Sequence, residues 1–136
     1  MTLTESVAKI LSQNGTLAPC FYERFFAQVP AAGPFFASTN MNHQASVLQM
    51  SLQVIEQFSA HGYEAVGDYL KVLGFKHRER GIPREMYAQW REILLETLAG
   101  FHGKEWNSQL AAAWAQALNL SIDKMLEGYE LSSGAI

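Results

Sequence analysis

The chain has 136 residues, of which 49% are hydrophobic and 17% are charged, a balance that predicts one compact domain over residues 1–136. Its net charge of -3 at pH 7 and its pI near 5.8 exclude the broad basic face that nucleic-acid binding requires. The single cysteine, Cys20, rules out an internal disulfide and fits a reducing compartment. Because we find neither a leader pattern nor an apolar run of membrane length, we expect a cytoplasmic protein without a membrane partner.

Apolar residues recur at helical spacing along almost the whole sequence, while alternating runs of Val, Ile and Thr are missing. This periodicity predicts an all-α fold. We expect about seven helices, of which the third is only a short turn. They are predicted over residues 2–14, 16–30, 31–36, 40–61, 63–80, 83–100 and 105–129.

Local signals mark several of these helix ends. Thr2-x-x-Glu5 is a capping-box pattern at the start of the first helix, and Asn14-Gly15 is a stop signal at its end. Either Asn40 or Asn42 caps the long helix that follows the short turn. Gly81-Ile82-Pro83 supplies a stop and a start, because glycine suits a left-handed cap and proline suits the first helical position.

One histidine of the predicted helices faces inward. At ~100° per residue, His77 lies ~20° from Leu70 around the helix, and Leu73 belongs to the same apolar stripe. An imidazole on such a stripe needs partners for its two ring nitrogens. The position by itself fits either a hydrogen-bonded core histidine or a metal ligand. The other histidines are His43, His61 and His102.

Three further side chains have both a structural and a functional interpretation. Tyr22 is predicted on the inner face of the second helix, where it is either a core tyrosine or a hydrogen-bond donor. Phe36 follows in the short turn, where packing alone would explain it. Gln44 lies in a first helical turn, with Leu48 one turn further on.

These residues together resemble the globin family over nearly the whole chain, from the first helix to about Tyr129. The sequence is most similar to bacterial single-domain globins, that is, bacterial haemoglobins, and to the globin part of flavohaemoglobins. The matching segments are Phe21-Tyr22-Glu23-Arg24-Phe25-Phe26, then Pro30 and Phe36, then Asn42-His43-Gln44 with Leu48, and finally Leu73-Gly74-Phe75-Lys76-His77, Gly81-Ile82, Tyr87 and Leu94-Leu95-x-Thr97-Leu98.

The resemblance implies a globin fold around a haem b pocket, with His77 as the proximal iron ligand. It implies Tyr22 and Gln44 as distal donors to a bound diatomic ligand, with His43 as the alternative distal residue if the register shifts by one. The haem would be non-covalent because Cys-x-x-Cys-His is absent. The pocket residues implied are Phe36, Leu48, Ile82, Tyr87, Trp90 and Leu94.

The chain departs from the flavohaemoglobin pattern at one position of the proximal side. Flavohaemoglobins have a glutamate late in the last helix that, with a tyrosine matching Tyr87, supports the proximal histidine. Counting from Trp114, that position is Leu131 in this chain, and neither Glu127 nor Glu130 falls on it. We therefore expect no strong electron donation from an anionic imidazole, and no peroxidase-like chemistry.

Several function classes are compatible with this resemblance. The first is reversible binding of oxygen, nitric oxide or carbon monoxide, for oxygen transport, storage or scavenging. The second is nitric-oxide dioxygenation with a separate reductase, and the third is a gas or haem sensor module. A haem-free regulatory globin is a further alternative, although it would have no need of an iron ligand at His77. We expect reversible binding, and we leave open whether the chain is an enzyme.

Overall fold

The computed structural model describes residues 1–13, 15–132 and 134. Within these residues the prediction of an all-helical fold is confirmed. The part of the chain so described forms six α-helices and three short 3-10 helices. None of these helices combines the length and the apolarity that crossing a membrane would need. The α-helices are α1 (Leu3–Ser12), α2 (Leu17–Gln28), α3 (Met41–His61), α4 (Glu64–Glu79), α5 (Glu85–His102) and α6 (Ser108–Glu127), and the 3-10 helices are Pro30–Phe36, Gly103–Glu105 and Gly128–Glu130.

The capping signals of the sequence account for several helix ends. The Thr2 hydroxyl accepts a hydrogen bond from the Glu5 amide at 3.1 Å, and the Glu5 carboxylate accepts one from the Thr2 amide at 2.9 Å. At the start of α3 the cap is Asn40, whose side chain accepts from two amides of the first turn. Asn14 lies outside the described residues, so its part in the stop signal stays a prediction.

The last two helices begin later than the sequence pattern predicts. The Pro83 carbonyl accepts from the Met86 amide at 3.1 Å, a short-range bond of the 3-10 type that precedes the first α-helical turn of α5. Before α6, the Asn107 side chain accepts from the Leu110 amide at 2.8 Å and caps the helix there. Local hydrogen bonding of a turn or a cap therefore sets both boundaries, which hydrophobic periodicity does not detect.

Helix α6 is central to the packing. It contacts α3, α4 and α5, while α2 packs against α5 and α1 packs against α3. Its Trp114 and Leu118 are fully buried in the main apolar core, together with Phe21 of α2 and Leu98 of α5. In contrast, α3 and α4 touch each other little. A space therefore remains between these two helices.

A buried polar cluster attaches α1 to this core and accounts for His102. Ser6 and His102 lie 2.6 Å apart between Oγ and Nε2, and the Trp114 indole N–H donates to the same Ser6 oxygen at 2.9 Å. Burial lowers the pKa of His102 below its usual range. This histidine therefore has a structural role, and it does not line the cleft described below.

Helices α4 and α6 approach backbone to backbone at two glycines. A Cβ atom on Gly74 of α4 would overlap the carbonyl group of Met125. A Cβ atom on Gly128, just after α6, would overlap the Lys71 carbonyl and the Phe75 amide. Glycine is required at both positions because the opposing atoms belong to rigid backbone and cannot move as a side chain could.

We predict that Gly74→Ala lowers the free energy of unfolding by about 3 kcal/mol, because the added methyl group forces α4 and α6 apart. Gly100→Ala in α5 is the matched control, since its Cβ would meet only the end of the Arg24 side chain at 3.6 Å. That control should be neutral or slightly stabilising because alanine favours a helix. Urea unfolding followed by circular dichroism measures both, and equal effects would contradict the close approach.

Candidate functional site

The space between α3 and α4 is a deep cleft whose inner wall is formed by α2, α5 and α6. Its empty space, counted together with the open mouth, is about 1240 Å³. Most of the lining side chains are apolar, among them Phe36, Leu48, Leu73 and Ile122. A cleft with such a lining suits a ligand that is mainly apolar.

His77 projects into the cleft from the last turn of α4. Its Nδ1 atom lies 2.9 Å from the hydroxyl oxygen of Tyr87 on α5. No described residue forms a hydrogen bond with the other ring nitrogen, Nε2. One nitrogen is therefore held by the protein, and the other remains available to a ligand.

The environment of His77 keeps its imidazole neutral at physiological pH. Burial lowers its pKa to about 4, and the nearby positive charge of Arg80 acts in the same direction. A neutral imidazole has a lone pair on one nitrogen, which is the form that binds a metal. His77 is thus prepared for coordination without first losing a proton.

Two buried tyrosines, Tyr87 and Tyr129, pack against each other on the Nδ1 side of His77. Burial raises the pKa of Tyr87, and the adjacent Tyr129 hydroxyl acts in the same direction, so Tyr87 remains neutral. The two rings meet edge to face with centroids 5.7 Å apart. The Tyr129 hydroxyl in turn donates to the Ile82 carbonyl at 2.7 Å. Tyr87, which holds His77, is therefore a neutral phenol, and a second phenol, Tyr129, packs against it.

The carboxylates closest in sequence to this support have other partners. Glu130 pairs with Arg84, and Glu127 pairs with Lys71 and Lys124. Leu131 contributes its carbonyl oxygen to Arg78 at 2.7 Å. Among the described residues, no carboxylate forms a hydrogen bond with His77 or with the tyrosine beside it.

A second polar pair lies on the wall that α2 and α3 form. The Gln44 amide nitrogen donates to the Tyr22 hydroxyl oxygen at 2.9 Å, and the Tyr22 side chain is only 7% exposed. Burial raises the pKa of Tyr22, so this phenol keeps its proton. Because the oxygen accepts from Gln44, the Tyr22 O–H bond stays free to donate into the cleft.

The other residues that the resemblance implies fall into two groups, those that line the cleft and those that do not. Phe36, Leu48, Ile82 and Trp90 line the cleft. Leu94 is fully buried in the core without lining the cleft, and His43 is exposed at the start of α3 and does not line it either.

The sequence pattern did not identify Arg80 as a cleft residue. It lines the mouth of the cleft three residues after His77. The signal was available, because residues three apart share one face of a helix. However, Arg80 belongs to a run of charged residues, and on a helix such a run more often indicates a face exposed to water.

Comparison with models of known families gives a match over most of the chain. The sequence model of the family described as Globin matches residues 20–125. All of the cleft-lining residues, from Tyr22 to Met125, lie within that range. No curated protein shows significant similarity to the chain.

We predict that His77 makes the ligand-free protein less stable in acid. Its pKa is about 4 when folded and near 6.5 when unfolded, so the unfolded chain binds the proton more tightly. The stabilisation is complete above pH 6.5 and is lost as the pH falls towards 4, by up to about 2 kcal/mol. His77→Leu should flatten the pH dependence of the unfolding free energy by that amount.

Urea unfolding at several pH values between 4.5 and 7 measures this difference. His43→Gln is the control, because His43 is exposed and does not line the cleft. An unchanged pH dependence in His77→Leu would show that the imidazole is not buried in its neutral form.

Proposed function

Because the chain belongs to the globin family, we propose that it binds haem b non-covalently in the cleft between α3 and α4 and reversibly binds oxygen there. The globin family typically binds haem, and a globin domain implies a function of the oxygen-binding type. Nitric oxide and carbon monoxide are further diatomic ligands that such a site would take. The free thiol of the exposed Cys20 supports a cytoplasmic location.

One observation carries this proposal. The same cleft has on one wall a neutral histidine with only one hydrogen-bonded ring nitrogen, and on another wall a pair of polar side chains that can donate hydrogen bonds. His77 has Nε2 available, while Tyr22 and Gln44 are hydrogen-bonded to each other across from it. The apolar lining between them fits a porphyrin macrocycle. When bound, haem would supply an iron that accepts one ligand from the protein and one diatomic molecule on its other face.

His77 would be held in the tautomer that coordination requires. With the proton on Nδ1, the imidazole donates to the Tyr87 oxygen, and the Nε2 lone pair points to the ligand side. The phenol is a weaker acceptor than a carboxylate and carries no charge. The imidazole therefore stays neutral, which favours reversible ligand binding over chemistry that needs strong electron donation.

Tyr22 and Gln44 would stabilise a ligand that becomes partly negative. The Tyr22 hydroxyl donates, and the Gln44 amide orients it while keeping its second N–H. Such donors act without reorganisation because burial and their mutual hydrogen bond already hold them in place. The apolar side chains around them exclude water, which would otherwise compete for the same donors.

The first test is haem binding itself. Haemin added to the ligand-free protein should give a sharp Soret band that saturates at one equivalent. His77→Gly should lose stoichiometric binding, and imidazole in solution should restore it by occupying the vacant space. His43→Gly and His61→Gly are the controls, since both side chains are exposed. Binding that needs one of these histidines and does not need His77 would refute the proposed ligand.

The second test concerns the distal donors. Hydrogen bonds to charged groups contribute roughly 1.5–3 kcal/mol, and about 1.4 kcal/mol is tenfold, so Tyr22→Phe should speed oxygen dissociation by roughly 10- to 150-fold. Gln44→Leu should act in the same direction. Carbon monoxide carries far less charge when bound, and its dissociation should change much less.

Stopped-flow ligand replacement measures both dissociation rates in the same variant. The ratio of the two effects separates polarity from access, because a wider or narrower entrance alters both ligands. Equal changes for oxygen and carbon monoxide would contradict a donor role for Tyr22.

A further inference from the structure

Arg80 is the only permanently charged side chain that lines the cleft, within the residues that the structure describes. The other lining side chains are apolar or are neutral hydrogen-bonding groups such as Tyr22, Gln44 and Thr39. Arg80 itself is exposed, at the end of α4. The cleft thus has a neutral interior and one cation at its mouth.

The position of this cation is defined by a contact across the mouth. One guanidinium nitrogen of Arg80 donates to the Phe35 carbonyl in the Pro30–Phe36 helix at 2.8 Å. A guanidinium has five N–H bonds in a planar fork, so this contact leaves most of its donors available. The charge is therefore held at the rim while it can still receive a second partner.

The neighbouring arginines form ion pairs with carboxylates, whereas Arg80 forms none within the described residues. Arg78 pairs with Glu79 at 2.8 Å, and Arg84 pairs with Glu130. For Arg80 no carboxylate partner lies within the described part of the chain. An unpaired guanidinium at the edge of an apolar cleft matches a ligand that is apolar in its body and anionic at one edge.

We propose that Arg80 binds a carboxylate of the haem side chains at the cleft mouth and makes the cleft selective for macrocycles that carry such carboxylates. This inference rests on the proposed function. Haem b has two propionates on one edge, and that edge must remain near water because burying a carboxylate without a partner is costly. Arg80 directs it towards the gap between α4 and the Pro30–Phe36 helix.

The test compares haemin with its dimethyl ester, in which both propionates are methylated and carry no charge. Each is bound to the wild-type protein, and its loss to an excess of a haem-scavenging protein is followed by the decay of the Soret band. Arg80→Gln should speed the loss of haemin by about five- to tenfold, the size expected for a hydrogen-bonded ion pair at a rim. It should leave the loss of the ester unchanged within about twofold.

Two matched variants control for other effects. Lys76→Gln removes a positive charge one turn earlier on the same helix, where the side chain is exposed and does not line the cleft. It should change neither rate. Arg80→Lys retains the charge without the planar fork, so it should recover part of the slow haemin loss.

The outcomes separate this inference from the proposed function. If Arg80→Gln speeds the loss of haemin and of its ester equally, Arg80 acts through its Phe35 contact and the inference is overturned. If it changes neither rate, the carboxylate has no partner at this position and the inference is overturned as well. A wild-type protein that does not bind haemin stoichiometrically refutes the proposed function instead.

Discussion

The close approach of α4 and α6 is the constraint on which the cleft depends. Gly74 and Gly128 let the two backbones touch, so α4 is supported from the α6 side and does not need to pack along α3. The space that remains between α3 and α4 is the cleft. The same contact brings α4 close to the end of α6. There Tyr129 packs against Tyr87, the hydrogen-bond partner of His77.

Polar groups inside the cleft are arranged so that none needs to carry a charge. On one wall, a phenol holds the imidazole, and its own neighbour is a phenol bonded to a backbone carbonyl. On the other wall, an amide holds Tyr22. Burial lowers the pKa of His77 to about 4 and raises the pKa of Tyr22, so both groups are neutral at pH 7. A charge that develops on a ligand is then met by fixed dipoles rather than by a counter-ion.

Charge is concentrated at the surface in a pattern that complements this neutral interior. At the end of α6, Glu127 is paired with lysines, and Glu130 is paired with Arg84. Arg78 donates to the Tyr129 and Leu131 carbonyls of the segment after α6. Arg80 is left at the mouth of the cleft, bonded only to a carbonyl of the described residues. An amphiphilic ligand would therefore have apolar walls along its body and a guanidinium at one edge.

The sequence by itself determined the helical class, most helix ends and the inward face of His77, because periodicity and capping are local properties that a few neighbouring residues decide. It also indicated Tyr22 and Gln44, but only through resemblance, since no local rule links positions 22 and 44. Only the tertiary structure decided that these two side chains bond to each other, that Leu94 lies in the core and His43 at the surface, and that Arg80 faces the cleft. Such relations depend on how helices distant in sequence pack together. The contact of α4 with α6 depends in addition on two glycines, which a pattern of hydrophobic residues does not reveal.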